Sequence, residues 1–189
     1  KIKKSAPISK YPLSSTQTGI FFLSQMNHSG LALELCYQLI LRGIPDDAAL
    51  EKALYALEER HPVLKTRFVL DEGKAWQYIV SNQKLNISYY NFLHLTSIER
   101  DSKLKQIIQT ELEQSFQIFD SPLVHYCLIR YAADRTIILL KVHHLITDGF
   151  SFEILHRHFA EFYNQYHKGG TLISSDESTY SDYVCWENE

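Results

Sequence analysis

A chain of 189 residues, 45% hydrophobic and 22% charged, carries enough apolar material for one folded core and lacks the composition of a disordered polymer. Its formal net charge of −3 excludes a global basic field that would draw it onto nucleic acid, and no apolar run reaches the length of a bilayer-spanning helix. The three cysteines, Cys36, Cys127 and Cys185, form no CxxC pair, so reduced, packed thiols, no metal site and a cytoplasmic setting are expected.

In chain order, Lys1 to Leu13 reads as an extended lead-in closing on Tyr11-Pro12, and Lys1 to Lys10 lack the apolar core of a signal peptide. Ser14 or Ser15 caps a helix from about Thr16 to Met26, with Ile20, Phe22, Leu23 and Met26 at helical spacing. Leu31 to Leu41 predicts a strand. Asp46-Asp47 start a helix whose stripe is Leu50, Ala53, Leu54 and Leu57, and His61-Pro62 ends it. Thr66 to Leu70 and Ala75 to Val80 flank the turn signal Asp71-Glu72-Gly73, which makes a hairpin.

Asn86 to Phe92 is a further strand. Ser97 to Phe116 is a long helix with Leu104, Ile107, Ile108, Leu112 and Phe116 on one face. Leu123 to Tyr131 and Thr136 to Val142 are two apolar strands at the centre of a sheet. Phe150 to Tyr166 is a helix facing Leu155, Phe159, Phe162 and Tyr166 inward, stopped by Gly169-Gly170. The tail from Thr171 is polar until Tyr180. Strands and helices alternate irregularly, which predicts an α+β fold with helices packed on a mixed, mainly antiparallel sheet.

The segment that carries chemistry is His143-His144-Leu145-Ile146-Thr147-Asp148-Gly149, between an apolar strand and a helix. Side chains alternate along a strand, so one imidazole turns into the core and the other into a cleft. Asp148 returns to hold the loop through an ion pair or backbone hydrogen bonds, and Gly149 keeps a narrow approach open. A neutral imidazole in a cleft takes a proton from an attacking amine or donates a hydrogen bond to an oxyanion. The other histidines are scattered without metal-ligand spacing. Arg130 and Arg135, near a hairpin, are expected to be solvated, as is the basic cluster Lys1, Lys3, Lys4 and Lys10.

His143 to Ser151 resembles the HHxxxDG signature of nonribosomal peptide synthetase condensation domains. Further segments resemble that family's motifs in the family's order. Leu13 to Phe22 matches its S-x-x-Q opening, Arg60 to Phe68 its RHExLRTxF stretch, Ser115 to Leu123 a shortened PFD-x-x-x-x-PL, and Tyr180 to Trp186 its Y-x-D-Y/F-x-x-W. Pro62 stands where the family has Glu, and Lys65 where it has a second Arg. The resemblance implies that this Arg pairs with the motif aspartate. Here Lys65 offers only a point charge, and Arg67 is the substitute.

The resemblance further implies a chloramphenicol-acetyltransferase-like lobe, with residues 1–189 a single N-terminal lobe and the second lobe outside this chain. It implies that His144 is catalytic, that His143 and Asp148 are structural parts of the motif, and that Gly149 lines the substrate channel. The reaction is amide bond formation between carrier-bound thioesters, an acyl transfer. The chain then binds no cofactor, its substrates riding on 4'-phosphopantetheine of carrier proteins. Partners are donor and acceptor carrier proteins, the C-terminal lobe and an adjacent adenylation domain, with no nucleic acid and no membrane. The lobe alone is expected to fold but stay silent. An epimerisation-domain lobe, a coenzyme-A-dependent trimer and a non-catalytic carrier-docking module are the alternatives.

Overall fold

A computed structural model describes residues 2, 9–26, 33–171 and 178–189. Lys1, Lys3, Lys4, His28 and the start of the expected strand at Leu31 lie outside the described residues. Four strands form the main sheet: β2 (Glu34–Arg42), β5 (Ile87–Asn91), β6 (Val124–Ala132) and β7 (Arg135–His143). Their order is β2-β7-β6-β5, with β5 parallel to β6 and the other two pairings antiparallel. The mixed, mainly antiparallel sheet expected from sequence is what forms. A second sheet has the order β1-β4-β3, built from β1 (Tyr11–Pro12), β3 (Thr66–Asp71) and β4 (Lys74–Ile79).

Both faces of the main sheet are covered. On one lie α2 (Asp47–Arg60) and α4 (Gly149–His167), packed against Tyr126, Leu128, Ile138 and Val142. On the other lies α3 (Ser97–Glu113), over Cys127, Ile129, Ile137 and Leu139. The parity of β6 and β7 explains the division: alternate residues go to opposite cores. Near-continuous apolar sequence is what a strand covered on both faces requires.

The α2 stripe is as expected, with Leu50, Ala53, Leu54 and Leu57 all at most 2% exposed. Asp46 caps that helix through the Ala49 N–H at 3.1 Å. The α3 helix ends at Glu113, earlier than its apolar periodicity suggests, so Phe116 lies beyond it and Leu112 is exposed. Arg130 is tied down: its guanidinium donates to Thr136 Oγ1 at 2.8 Å and to Pro45 C=O at 3.2 Å, and pairs with Asp47.

The larger departure is α1 (Ser15–Met26). Its one buried residue is the polar Gln17, while Phe22, Leu23 and Met26 are 56–64% exposed. Helical spacing predicted the helix but not what would face it. The tail, which showed no element in sequence, forms α5 (Tyr180–Glu187). Thr179 caps it in a reciprocal box with Asp182. It docks on the start of α1, where Ser14 Oγ meets Tyr180 Oη at 2.9 Å and Ser15 donates from N–H and Oγ to the Glu187 carboxylate at 2.8 and 2.6 Å.

Candidate active site

β7 delivers the two histidines at its end. The His143 N–H donates to Leu123 C=O at 3.0 Å and the His144 N–H to Leu33 C=O at 2.8 Å, so the backbone here remains anchored to neighbouring chain. His143 is buried, and its Nδ1 accepts the Leu145 N–H at 3.0 Å. A backbone N–H can only donate, so the His143 proton sits on Nε2. Burial pushes this imidazole down to about 4, and the neighbouring His144 adds to the shift. His143 is therefore neutral and holds the turn.

His144 lines a cavity of about 290 Å³. Gln17 and Ile20 of α1, His61, Thr147, Ile154 of α4 and Tyr180 of α5 share its wall. His144 Nδ1 is buried without a hydrogen-bond partner among the described residues, which leaves Nε2 as the ring nitrogen for the cavity. Thr147 Oγ1, three residues on, is likewise buried and unpartnered among them. Buried polar atoms left without partners are uncommon, and two of them fall on this one cavity.

Asp148 is the N-cap of α4. Its Oδ1 accepts the Ser151 N–H at 2.8 Å and the Ser151 hydroxyl at 2.6 Å, while its own N–H donates to Ser151 Oγ at 3.1 Å. These Ser151 contacts hold its carboxyl below the usual range. Of the two means by which sequence had Asp148 hold the loop, the structure contains the backbone hydrogen bond. Lys65 pairs instead with Glu59 at 2.6 Å, and Arg67 reaches Gln83. No cation pairs with Asp148 among the described residues, and it is exposed.

Gly149 begins α4 and is not part of the cavity wall. A Cβ added there meets nothing within 4 Å, so packing inside this chain does not demand glycine.

Two contributors to the site find their partners only in three dimensions. Gln17 Nε2 donates to the Leu145 carbonyl at 3.1 Å, bracing the histidine loop from α1. His61, on the cavity wall, has Nε2 2.7 Å from Nδ1 of His158 on α4, with the rings stacked at 5.0 Å. Sequence placed Gln17 and His61 inside motif-like segments, but chemistry-bearing partners 97 and 128 residues away leave no local trace.

Comparison with protein families matches residues 8–189 to the family described as Condensation domain. The chain belongs to the condensation domain family. It is 30% identical to part of a linear gramicidin synthase of Brevibacillus parabrevis, over 94% of this chain and 4% of that protein. Gramicidin S synthase 2 of Aneurinibacillus migulanus is 28% identical over 100% of this chain and 4% of its own length. Among solved structures, the starter condensation domain of rhizomide synthetase superposes with a TM-score of 0.86 at 17% identity, covering 96% of this chain and 44% of that one. The first condensation domain of the calcium-dependent antibiotic synthetase gives a TM-score of 0.83 at 19% identity, covering 95% and 43%. This condensation-domain chain thus spans less than half of those solved chains and a small fraction of the curated synthases. Its α+β fold is theirs over the shared length. No described helix is long and apolar enough to cross a membrane.

Proposed function

We propose that residues 1–189 form the N-terminal lobe of a nonribosomal peptide synthetase condensation domain and supply His144 to amide bond formation between two carrier-bound thioesters. The observation that carries the reading is the placement of His144: a ring buried at Nδ1 and open to the cavity at the other nitrogen, on a turn braced from three sides. Such a ring takes a proton from the attacking amine or donates to the developing oxyanion, and its rigid support keeps it aimed.

In this reading His143 is the neutral brace, Asp148 the cap that fixes where α4 begins, and Gly149 an open flank of the substrate path. The thioesters ride on 4'-phosphopantetheine of donor and acceptor carrier proteins, and the condensation chemistry draws on no cofactor held by this chain. The C-terminal lobe supplies the second wall of the cleft. The exposed Phe22, Leu23 and Met26 on α1 support a chain that has further surface to cover. An adenylation domain is the expected neighbour in the assembly line.

The test is a condensation domain containing both lobes, assayed with two loaded carrier proteins. His144→Ala is expected to lower product formation by about 10²–10⁴ with an unchanged thermal melt. A dipeptidyl thioester formed at near-parental rate removes His144 from the chemistry. The 189-residue chain, assayed alone, is expected to melt cooperatively and form no product; peptide formation by the monomer overturns the one-lobe reading.

A further inference from the structure

On the sheet face away from His144, β6 and α3 bring three ligand-type side chains together. His125 and Cys127, two residues apart on β6, point to the same side, and Glu111 comes down from α3. Glu111 Oε2 is 2.9 Å from His125 Nδ1, Cys127 Sγ is 3.5 Å from Glu111 Oε1, and Sγ lies 3.9 Å from Nδ1. We propose that Glu111, His125 and Cys127 form a zinc site that staples α3 to the sheet.

Typical zinc bonds to sulfur, nitrogen and oxygen imply ligand–ligand edges of about 3.3–3.6 Å. One donor atom from each residue lies within 4.8 Å of the others, and the two carboxylate contacts fall on different oxygens, Oε2 toward His125 and Oε1 toward Cys127, so closing on an ion turns the Glu111 carboxylate as the donors shift. Thiolate, imidazole and carboxylate together are a zinc donor set rather than a magnesium or calcium one. Without an ion, His125 Nδ1–H donates to Glu111 Oε2 at 2.9 Å, and a metal would take the place of that proton. Ser88 Oγ lies 3.0 Å from His125 Nε2, the outer hydrogen bond that orients a ligating imidazole.

The backbone holding the ligands is rigid. β6 is paired on both sides, by β5 and β7, and Cys127 is 1% exposed. Charge also balances. Glu111 and the Cys127 thiolate neutralise a divalent ion; burial and Glu111 push the free thiol up, so its proton leaves only as the ion binds, and the Lys141 cation acts on Glu111, Cys127 and Glu34 alike. An opening of about 290 Å³, walled by Glu111, Gln114, His125 and Lys141, leaves a path for the ion and room for water as fourth ligand.

The expectation of no metal rested on the lack of CxxC pairs and of histidines at ligand spacing. A His-x-Cys pair on one strand face, completed by a helix residue 14 positions earlier than His125, has no such signature.

The 189-residue chain, stripped with chelator, is titrated with zinc by calorimetry and with cobalt by absorption spectroscopy. One zinc per chain is expected, with a thiolate-to-cobalt charge-transfer band in the near ultraviolet. The Cys36→Ser/Cys185→Ser double variant leaves Cys127 as the remaining thiol of the three and should keep the band. Ser88→Ala should weaken zinc by about 10-fold or more, as removal of an outer hydrogen bond does. Absence of stoichiometric zinc at micromolar concentration overturns the proposal, and so does loss of the band in the double variant. Both readouts are independent of any Cys127 variant and of condensation activity.

Discussion

Gln17 of α1 and Gln77 of β4 face each other through two amide hydrogen bonds, Nε2 to Oε1 in each direction, at 3.1 and 2.7 Å. Both side chains are 1% exposed. The pair also reaches outward: Gln17 Oε1 accepts the Ser14 N–H at 3.0 Å, and Gln77 Nε2 donates to Pro12 C=O at 2.8 Å. With the bond to Leu145, one buried polar network joins the small sheet, the start of α1 and the histidine loop.

Gln17→Ala therefore strands buried donors and acceptors on Gln77, Leu145 and Ser14. A cost of about 1–3 kcal/mol is expected, or roughly 2–4 °C in Tm for each kcal/mol in a chain of this size. Thermal melting checks it, and an unchanged melt would mean that water replaces the amide without loss.

Asp148→Ala should cost about 1 kcal/mol, the value of an N-cap, rather than the several kcal/mol of a broken buried ion pair. Asp148→Asn should recover most of that loss, because an amide oxygen still accepts the Ser151 N–H. Chemical denaturation of the two variants separates the roles. Equal destabilisation by both would assign the effect to charge, not capping.

Glu58 is 1% exposed, and burial pushes its carboxyl up from 4.5 to about 7, outweighing Tyr126 and the Lys65 and Arg67 cations. The folded state thus holds its proton more tightly than the unfolded chain. The resulting stability is fully present below about pH 4.5 and is lost as pH rises through about 7. Glu58→Gln should remove that loss, making the variant relatively more stable at about pH 8 by an amount of order 3 kcal/mol. Denaturation of both proteins across that pH range is the measurement; parallel curves would count against a buried proton.

For His143 the sign is opposite. Its folded value, about 4, lies below the ordinary 6.5, so the unfolded chain binds the proton first. Stability from neutral His143 is present above about 6.5 and lost as pH falls toward 4. Imidazole NMR should find the Nε2–H tautomer persisting to about pH 5, whereas a titration midpoint near 6.5 would contradict the buried brace.

Much of the architecture was legible because its signals are local. The α2 stripe, the hairpin at Asp71-Glu72-Gly73 and the apolar β6 and β7 depend on near neighbours and on simple periods of about 2 and 3.6. α5 was not legible, because a short helix of mixed polarity is held by its cap and by contacts to Ser14 and Ser15, 166 and 172 residues away. The exposed apolar side of α1 was not legible either, since periodicity marks an amphipathic face without naming what covers it.

By itself the sequence determined the paired histidines at the end of an apolar strand and the α+β class, since strand alternation and element order require only the chain. Tertiary structure alone decided which imidazole is buried and that Asp148 caps α4 instead of pairing with Lys65. It also decided that Gln17 braces Leu145 and that Glu111 meets His125 and Cys127. The physical reason is range. A hydrogen bond or ion pair acts over a few ångströms, and residues 14, 83 or 128 positions apart come within that distance only after the sheets and helices have packed.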